Sequence, residues 1–125
     1  MKKEYKNKLR KLHRTDGPAV EYDNGIKLLY INGKLHRLDG PAIEHTDGYK
    51  AWYINGERHR TDGPAIEHTD GEKHWYINGL RHREDGPAIE YSDGSKSWYL
   101  NDINYTEEEH NQELIKLKLK RLIEL

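Results

Sequence analysis

The chain contains no cysteine, which excludes disulfide bonds and thiolate metal sites. It also lacks phenylalanine, and hydrophobic residues make up only 34% of its 125 residues, against roughly 45–50% in an average globular protein. No apolar run approaches the ~20 residues of a membrane span, and the start, Met1-Lys2-Lys3-Glu4-Tyr5, lacks the apolar stretch of a secretory signal. We therefore expect a cytoplasmic protein without a large conventional core.

Charge is distributed unevenly along the chain, although the formal net charge at pH 7 is −1. Residues 1–14 carry seven basic groups and one acidic group, whereas residues 15–105 carry ten basic and sixteen acidic groups. A basic N-terminal arm, residues 1–11, therefore precedes an acidic body, and we expect this arm to be a weak helix or disordered. The arm attracts either a polyanion or its own body, and the second interpretation is favoured.

Four copies of one pattern occupy most of the chain. The tetrapeptide Asp-Gly-Pro-Ala begins at Asp16, Asp39, Asp62 and Asp85, so that each copy starts 23 residues after the last. His-Arg pairs and a second glycine keep the same period, at His13, His36, His59 and His82 and at Gly25, Gly48, Gly71 and Gly94. Self-similarity at a fixed period is the signature of a repeat protein, and it predicts four units: residues 12–34, 35–57, 58–80 and 81–105.

Each unit has the pattern of a β-hairpin. In the third unit, residues 64–68 and 73–77 are rich in β-branched and aromatic residues, and they are followed by Asp70-Gly71 and Asn78-Gly79. Both dipeptides are favoured in hairpin turns because Gly, Asn and Asp adopt positive φ readily. The sequence thus predicts a mainly β fold: four stacked 23-residue β-hairpin repeats forming an elongated antiparallel meander sheet of about eight strands, with a C-terminal α-helix.

Side-chain alternation assigns residues to the two faces of this sheet, because successive residues of a strand point in opposite directions. One face receives an apolar stripe made of two columns, Val20, Ile43, Ile66 and Ile89 beside Leu29, Trp52, Trp75 and Trp98. The tyrosine column falls on the other face, and the alanines of Asp-Gly-Pro-Ala lie opposite the Val/Ile column. We expect the stripe to be the core and each unit to bury itself mainly against its neighbours.

The C-terminal segment, residues 106–125, departs from the repeat. Thr106 followed by Glu109 is a capping box, and it predicts a helix that begins at residue 107. One broad face of that helix would carry the apolar residues Leu114, Ile115, Leu119, Leu122, Ile123 and Leu125. Two placements stay open: the helix lies across the apolar stripe, or it covers only the open edge of the sheet.

The 23-residue period, the Trp-Tyr-x-Asn-Gly motif and the His and Asp-Gly columns resemble MORN repeats, especially their bacterial and phage variant. The resemblance covers residues 12–102. It implies an elongated, twisted single-layer sheet of stacked hairpins, and scaffold, dimerisation or membrane-tethering roles without catalysis. The better-known MORN group has His-Gly where this chain has His-Arg, as at His59-Arg60, and Tyr-x-Gly-x-Trp where it has Trp-Tyr.

The titratable residues do not form an obvious active site or metal centre. Histidines of the His-Arg column lie two strands, or roughly 9–10 Å, apart, so they cannot share one metal ion. The other histidines, His45, His68, His74 and His110, show no ligand-like spacing. Each candidate carboxylate occurs four times, which the repeat architecture explains, and we expect it to pair with an arginine of the repeat. We therefore expect no metal, no cofactor and no enzymatic activity.

The remaining function is binding. Tyrosine, tryptophan and arginine most often anchor protein interfaces, and the repeat offers them in columns. The working hypothesis is a non-catalytic protein-binding module, an accessory or inhibitor protein of a phage or bacterium that occupies a partner's surface. Its candidate partner-binding residues are Tyr30, Tyr53, Tyr76, Tyr99, Arg37, Arg60 and Arg83. The alternative is a homo-oligomeric scaffold; attachment to a membrane surface ranks lower, and so does nucleic-acid binding, which the acidic body disfavours.

Overall fold

The computed structural model describes residues 1–125 as sixteen short strands followed by one helix. In chain order these are β1 (Lys2–Glu4), β2 (Val20–Tyr22), β3 (Lys27–Leu28), β4 (Tyr30–Ile31), β5 (Lys34–Leu35), β6 (Ile43–Glu44), β7 (Lys50–Ala51), β8 (Tyr53–Ile54), β9 (Glu57–Arg58), β10 (Ile66–Glu67), β11 (Lys73–His74), β12 (Tyr76–Ile77), β13 (Leu80–Arg81), β14 (Ile89–Glu90), β15 (Lys96–Leu100), β16 (Ile103–Tyr105) and α1 (Glu107–Ile123).

One antiparallel sheet of ten strands forms the spine of the molecule. Its order is β1-β2-β3-β6-β7-β10-β11-β14-β15-β16, so strands follow the chain without a crossover. Three further hairpins, β4-β5, β8-β9 and β12-β13, form separate two-stranded sheets. The prediction of a mainly β fold, with an antiparallel meander of hairpin repeats and a C-terminal helix, is confirmed.

The second strand of each of the first three units is broken in two, where the sequence predicted one continuous strand. In the third unit the break falls at Trp75, whose N–H donates to the carbonyl of Ala88 in the next unit while its own carbonyl accepts from His82. Hydrogen bonding thus changes partner at the tryptophan, and β12 leaves the main sheet. In the fourth unit β15 runs unbroken from Lys96 to Leu100.

The Asn-Gly turns adopt the backbone that the sequence predicted. Asn32, Asn55, Asn78 and Asn101 all have φ near +50°, and the glycine after each of the first three has φ of +81° or +82°. Positive φ at both central residues defines the type I′ turn, whose twist matches that of the flanking strands. The glycine of Asp-Gly-Pro-Ala is needed for a different reason: a Cβ at Gly63 would lie 2.8 Å from Cζ of Arg60.

The core is small and is built around alanine. Five alanines are fully buried: Ala19, Ala42, Ala51, Ala65 and Ala88. The side chains of Val20, Ile66 and Ile89 are also buried. One cluster joins Ala51, Ala65, Ile66 and Tyr76, with the flanking Trp52 and Tyr53 packed against it. The expectation that the tyrosines lie on a face away from the core is therefore wrong at Tyr76, because the broken strand brings its hairpin against the alanines.

The N-terminal arm is neither helical nor disordered, contrary to expectation. β1 pairs with β2, placing Lys3 opposite Glu21, and the terminal amino group forms an ion pair with Asp23. The N–H of Tyr5 donates to the carbonyl of Ala19, and the Tyr5 ring lies 4.2 Å beneath the Arg14 guanidinium. The basic arm thus lies on its own acidic body, as favoured, and pairs with what would be an open sheet edge.

Helix α1 begins as predicted and packs against the end of the sheet. The Thr106 hydroxyl accepts from the N–H of Glu109, and the Glu109 carboxylate accepts from the N–H of Thr106. The helix contacts chiefly β15 and β16, which matches the second of the two placements left open. Most of its apolar face is not packed against the sheet: Leu114 is half-buried, whereas Ile115, Leu119 and Leu122 are 59%, 56% and 65% exposed.

Candidate functional site

An arginine fixes each Asp-Gly-Pro-Ala loop. In the third unit, Nε of Arg60 donates to Oδ1 of Asp62 over 2.9 Å, and Nη1 donates to the carbonyl of Pro64 over 3.0 Å. The Arg60 guanidinium also stacks on Trp52, 3.9 Å from the ring centroid. Hydrogen bonds of the same two kinds, within 0.2 Å of these lengths, recur at Arg14, Arg37 and Arg83.

These ion pairs match the expected pairing of arginine with the repeated carboxylates. The hydrogen bond from Arg60 and its positive charge hold the pKa of Asp62 below its ordinary value, and the same pairing lowers the pKa of Asp39 and of Asp16. The carboxylates remain 81–88% exposed. Each loop therefore presents to solvent a carboxylate that is held in place by its arginine.

The His-Arg histidines have a structural role in the turns. Nδ1 of His59 accepts the N–H of Asn78 over 3.0 Å, and His13, His36 and His82 accept from the equivalent Asn32, Asn55 and Asn101 at the same distance. Each imidazole thereby joins the start of its repeat unit to the turn of the same unit, 19 residues later. In His82 the other nitrogen, Nε2, donates to Glu84 over 3.0 Å, so both ring nitrogens are engaged.

Three equivalent clefts, which we call the cleft row, open between successive Asp-Gly-Pro-Ala loops. Their volumes are about 530, 730 and 580 Å³ in chain order. Each has an apolar base made by the residue at the strand break and the isoleucine two positions later, with arginines in its walls and aspartates at the rim. These base residues are Leu29 and Ile31 in the first cleft, Trp52 and Ile54 in the second, and Trp75 and Ile77 in the third.

The fourth cleft of the series is partly filled by the chain's own helix. Its walls include Asp85, Gly86, Pro87 and Trp98, the counterparts of the second cleft's Asp39, Gly40, Pro41 and Trp52. His110 on the first turn of α1 enters it and is 1% exposed. Its Nε2 donates to the carbonyl of Arg83 over 2.8 Å, and the remaining cavity is about 310 Å³.

A second contact fixes the far end of the helix to the same loop. Nη1 and Nη2 of Arg121 donate to Oε1 and Oε2 of Glu84 over 2.7 and 2.8 Å. These bonds hold the pKa of the Glu84 carboxyl at about 2, although partial burial acts in the opposite direction. The positions equivalent to Glu84 hold Thr15, Leu38 and Thr61, so this anchor belongs to the fourth unit alone.

The candidate partner-binding residues divide into two groups. Arg37, Arg60 and Arg83 line the cleft row, but their guanidiniums are engaged by the loops and their side chains are 19–29% exposed. Tyr76 is buried in the core, while Tyr30, Tyr53 and Tyr99 are half-buried; burial raises the pKa of the Tyr30 phenol. The structure does not bring the tyrosines into the clefts, and a partner-binding role for either group stays a prediction.

A separate cluster of possible metal ligands was missed by sequence reasoning. One ligand atom from each of His68, Glu72 and His74 lies within 4.8 Å of the other two, so the statement that these histidines lack ligand-like spacing is wrong. The cluster spans a hairpin, and pairing across strands is needed to see it. The signal in the sequence was the set His-x3-Glu-x-His, which occurs in the third unit alone.

The fold and the clefts together define a β-hairpin repeat protein with a helix docked on its last unit. In comparisons with known proteins, no family model, no curated protein and no solved structure matches the chain. Helix α1 has neither the length nor the hydropathy required to cross a membrane.

Proposed function

We propose that this chain is a non-catalytic protein-binding module and that the cleft row is its binding surface. The observation that carries the proposal is His110, a side chain from a helical segment that is nearly completely buried in the fourth cleft. The fourth cleft is thus partly filled by polypeptide. The first three are also walled by Asp-Gly-Pro-Ala loops, and they have Leu29, Trp52 and Trp75 at the position of Trp98. A partner segment would occupy them in the same manner.

The charges of the clefts favour a partner segment that carries cations and hydrogen-bond donors. The rim of the row presents the carboxylates of Asp16, Asp39, Asp62 and Asp85, which are 81–88% exposed. Two of the arginines that pair with them, Arg60 and Arg83, are turned inward and stack on Trp52 and Trp75 of the preceding unit. Negative charge at the rim attracts a basic surface and repels a polyanion.

The spacing of the row supports an extended partner segment. Successive clefts lie one hairpin apart, which is about 9–10 Å for two strands of an antiparallel sheet. A chain in the polyproline II conformation rises about 9.3 Å per three-residue turn and presents every third side chain on one side. We expect a segment with a histidine, lysine or aromatic residue at every third position to fit the row best.

Capture of a partner from the lysate of the native host tests this proposal. Ile77→Arg places a charge at the base of the third cleft, whereas Leu80→Arg changes a residue paired with Ile77 that lies outside the row. We expect one dominant protein to elute with the wild-type chain and with Leu80→Arg, and to be lost with Ile77→Arg. Equal capture by both variants would exclude the cleft row as the binding surface.

A homo-oligomeric scaffold is the second candidate, and one observation favours it. Ile115, Leu119 and Leu122 follow each other at helical spacings of four and three residues on the outer side of α1 and are more than half exposed. Such a stripe pairs with a second helix in coiled-coil fashion. A dimer that persists on dilution in light scattering, and that Leu119→Lys dissociates, would support this function over the first.

A further inference from the structure

We propose that His68, Glu72 and His74 bind one zinc ion, with a fourth coordination position open to water. Catalytic zinc sites use such a donor set, in which two imidazoles and one carboxylate bind the ion and the fourth position is open. The cluster shares no residue with the cleft row. Failure of the zinc proposal would therefore leave the proposed partner surface unaffected, and the reverse also holds.

The backbone of one hairpin brings the three side chains together. The N–H of His68 donates to the carbonyl of Glu72 over 2.9 Å, so the two residues face each other at the end of the β10–β11 ladder. His74 follows Glu72 by two residues and therefore points to the same face of the sheet. Two strands and a tight turn hold the ligands, so little conformational freedom has to be lost when an ion binds.

The distances suit a small tetrahedral ion. Oε2 of Glu72 lies 2.8 Å from Nε2 of His74 and 3.8 Å from Nε2 of His68. Two ligand atoms bound to zinc at about 2.0–2.2 Å with a tetrahedral angle lie roughly 3.4 Å apart. All three ligand atoms lie within 4.8 Å of one another, and rotations of the two imidazoles and the carboxylate about their side-chain bonds would bring them to this spacing.

The other repeat units show that the hairpin folds without these residues. In the other units, the positions of Glu72 and His74 hold Ile26 and Leu28, Tyr49 and Ala51, or Ser95 and Ser97. The same hairpin thus forms with apolar, aromatic or hydroxyl side chains at these positions. A histidine and a carboxylate occur together only where the facing residue is His68.

A histidine at position 74 is also energetically unfavourable if its role is only structural. It occupies the row of the sheet that holds Ile66 and Ile89, directly opposite both, and its side chain is 14% exposed. Its Nδ1 is buried without a hydrogen-bond partner in the protein, which destabilises the fold unless another interaction compensates. Coordination of zinc through Nε2 leaves Nδ1 without a partner, but the free energy of zinc binding to the folded state would offset that cost.

Titration of the full-length chain, free of any histidine tag, with Zn²⁺ by isothermal calorimetry tests the site. We expect one ion per chain and a rise in Tm with zinc concentration, because binding to the folded state alone stabilises it. Replacing each ligand by the residue of the fourth unit, as in His68→Tyr, Glu72→Ser and His74→Ser, keeps side chains that the repeat accepts. Each replacement is expected to weaken binding at least about tenfold, since loss of an outer-shell partner alone costs this much.

His45→Tyr is the matched control, because His45 holds the position of His68 in the second unit; it should leave zinc affinity unchanged. The reciprocal variant Tyr91→His, Ser95→Glu, Ser97→His transfers the ligands to the fourth unit, and we expect it to bind two ions. Unchanged zinc affinity in the triple replacement of His68, Glu72 and His74 would overturn the proposal. So would the absence of binding by the wild-type chain at micromolar zinc.

Discussion

The guanidinium of Arg121 and the carboxylate of Glu84 form a two-pronged ion pair across 37 residues of chain. The pair joins the last turns of α1 to the Asp-Gly-Pro-Ala loop of the fourth unit, while His110 holds the first turn in the cleft beside it. Both ends of the helix are thus attached to one loop. Release of this attachment would expose the fourth cleft alongside the other three.

Docking of α1 is expected to weaken in acid. The Arg121 hydrogen bonds lower the folded-state pKa of Glu84 to about 2, so the pair stabilises the folded state fully above the ordinary glutamate pKa. That stabilisation is lost as pH falls from about 4.5 towards 2, and we expect it to be about 1 kcal/mol because the pair is partly exposed. Urea unfolding of the wild type and of Glu84→Gln across this range measures it; parallel pH profiles would contradict the assignment.

Removal of the His110 side chain is expected to detach the start of the helix. His110→Ala leaves a cavity in the fourth cleft and removes the hydrogen bond to the carbonyl of Arg83, for a loss of about 2 kcal/mol or more. Hydrogen exchange in α1 should accelerate, while exchange in β10 and β11 should stay slow. Gln112→Ala, at an exposed helix position outside the fourth cleft, is the control; equal acceleration in both variants would show that burial of His110 does not anchor the helix.

Gly63 and Arg60 are expected to be energetically coupled. Gly63→Ala would place a methyl group 2.8 Å from Cζ of Arg60 and displace the guanidinium from Asp62 and Trp52, at a cost of about 1–3 kcal/mol. In an Arg60→Ala background the same change has nothing to displace and should cost much less. A double-mutant cycle in urea measures the coupling, and additive losses would contradict the close contact.

The two candidate functions differ in whether the exposed apolar residues on the outer side of α1, Ile115, Leu119 and Leu122, pair with a second copy of the chain. If the chain works as a monomeric binding module, light scattering across a dilution series gives the monomer mass, 14.8 kDa, at every concentration, and Leu119→Lys leaves that mass unchanged. A larger mass that falls on dilution, or that the substitution abolishes, would place helix pairing at the centre of the function.

Features that depend on local chemistry were predictable from the sequence. The Asn78-Gly79 turn and the Thr106–Glu109 capping box each involve residues a few positions apart, and both form as predicted. The 23-residue period likewise fixed the order of strands, because an unbroken repeat makes each unit pair with the next.

Features that depend on where backbone hydrogen bonding switches from one strand to another were not predictable. Alternation along residues 73–77 assumed one strand, but hydrogen bonding switches at Trp75, and this buries Tyr76. The split of the helix into a packed side at Leu114 and an outer side at Leu119 depends on His110 entering the cleft. The His68, Glu72 and His74 cluster depends on cross-strand register, which residue spacing alone does not give.

Photo-crosslinking from inside the cleft row tests the central claim most directly. A benzophenone amino acid in place of Ile54, at the base of the second cleft, and another in place of Leu80, outside the row, are compared in the native host. Binding in the cleft row predicts one stoichiometric protein adduct from position 54 and none from position 80, with the crosslinked peptide basic or aromatic in character. Adducts of the same partner at position 80 alone, or at neither position, would contradict it.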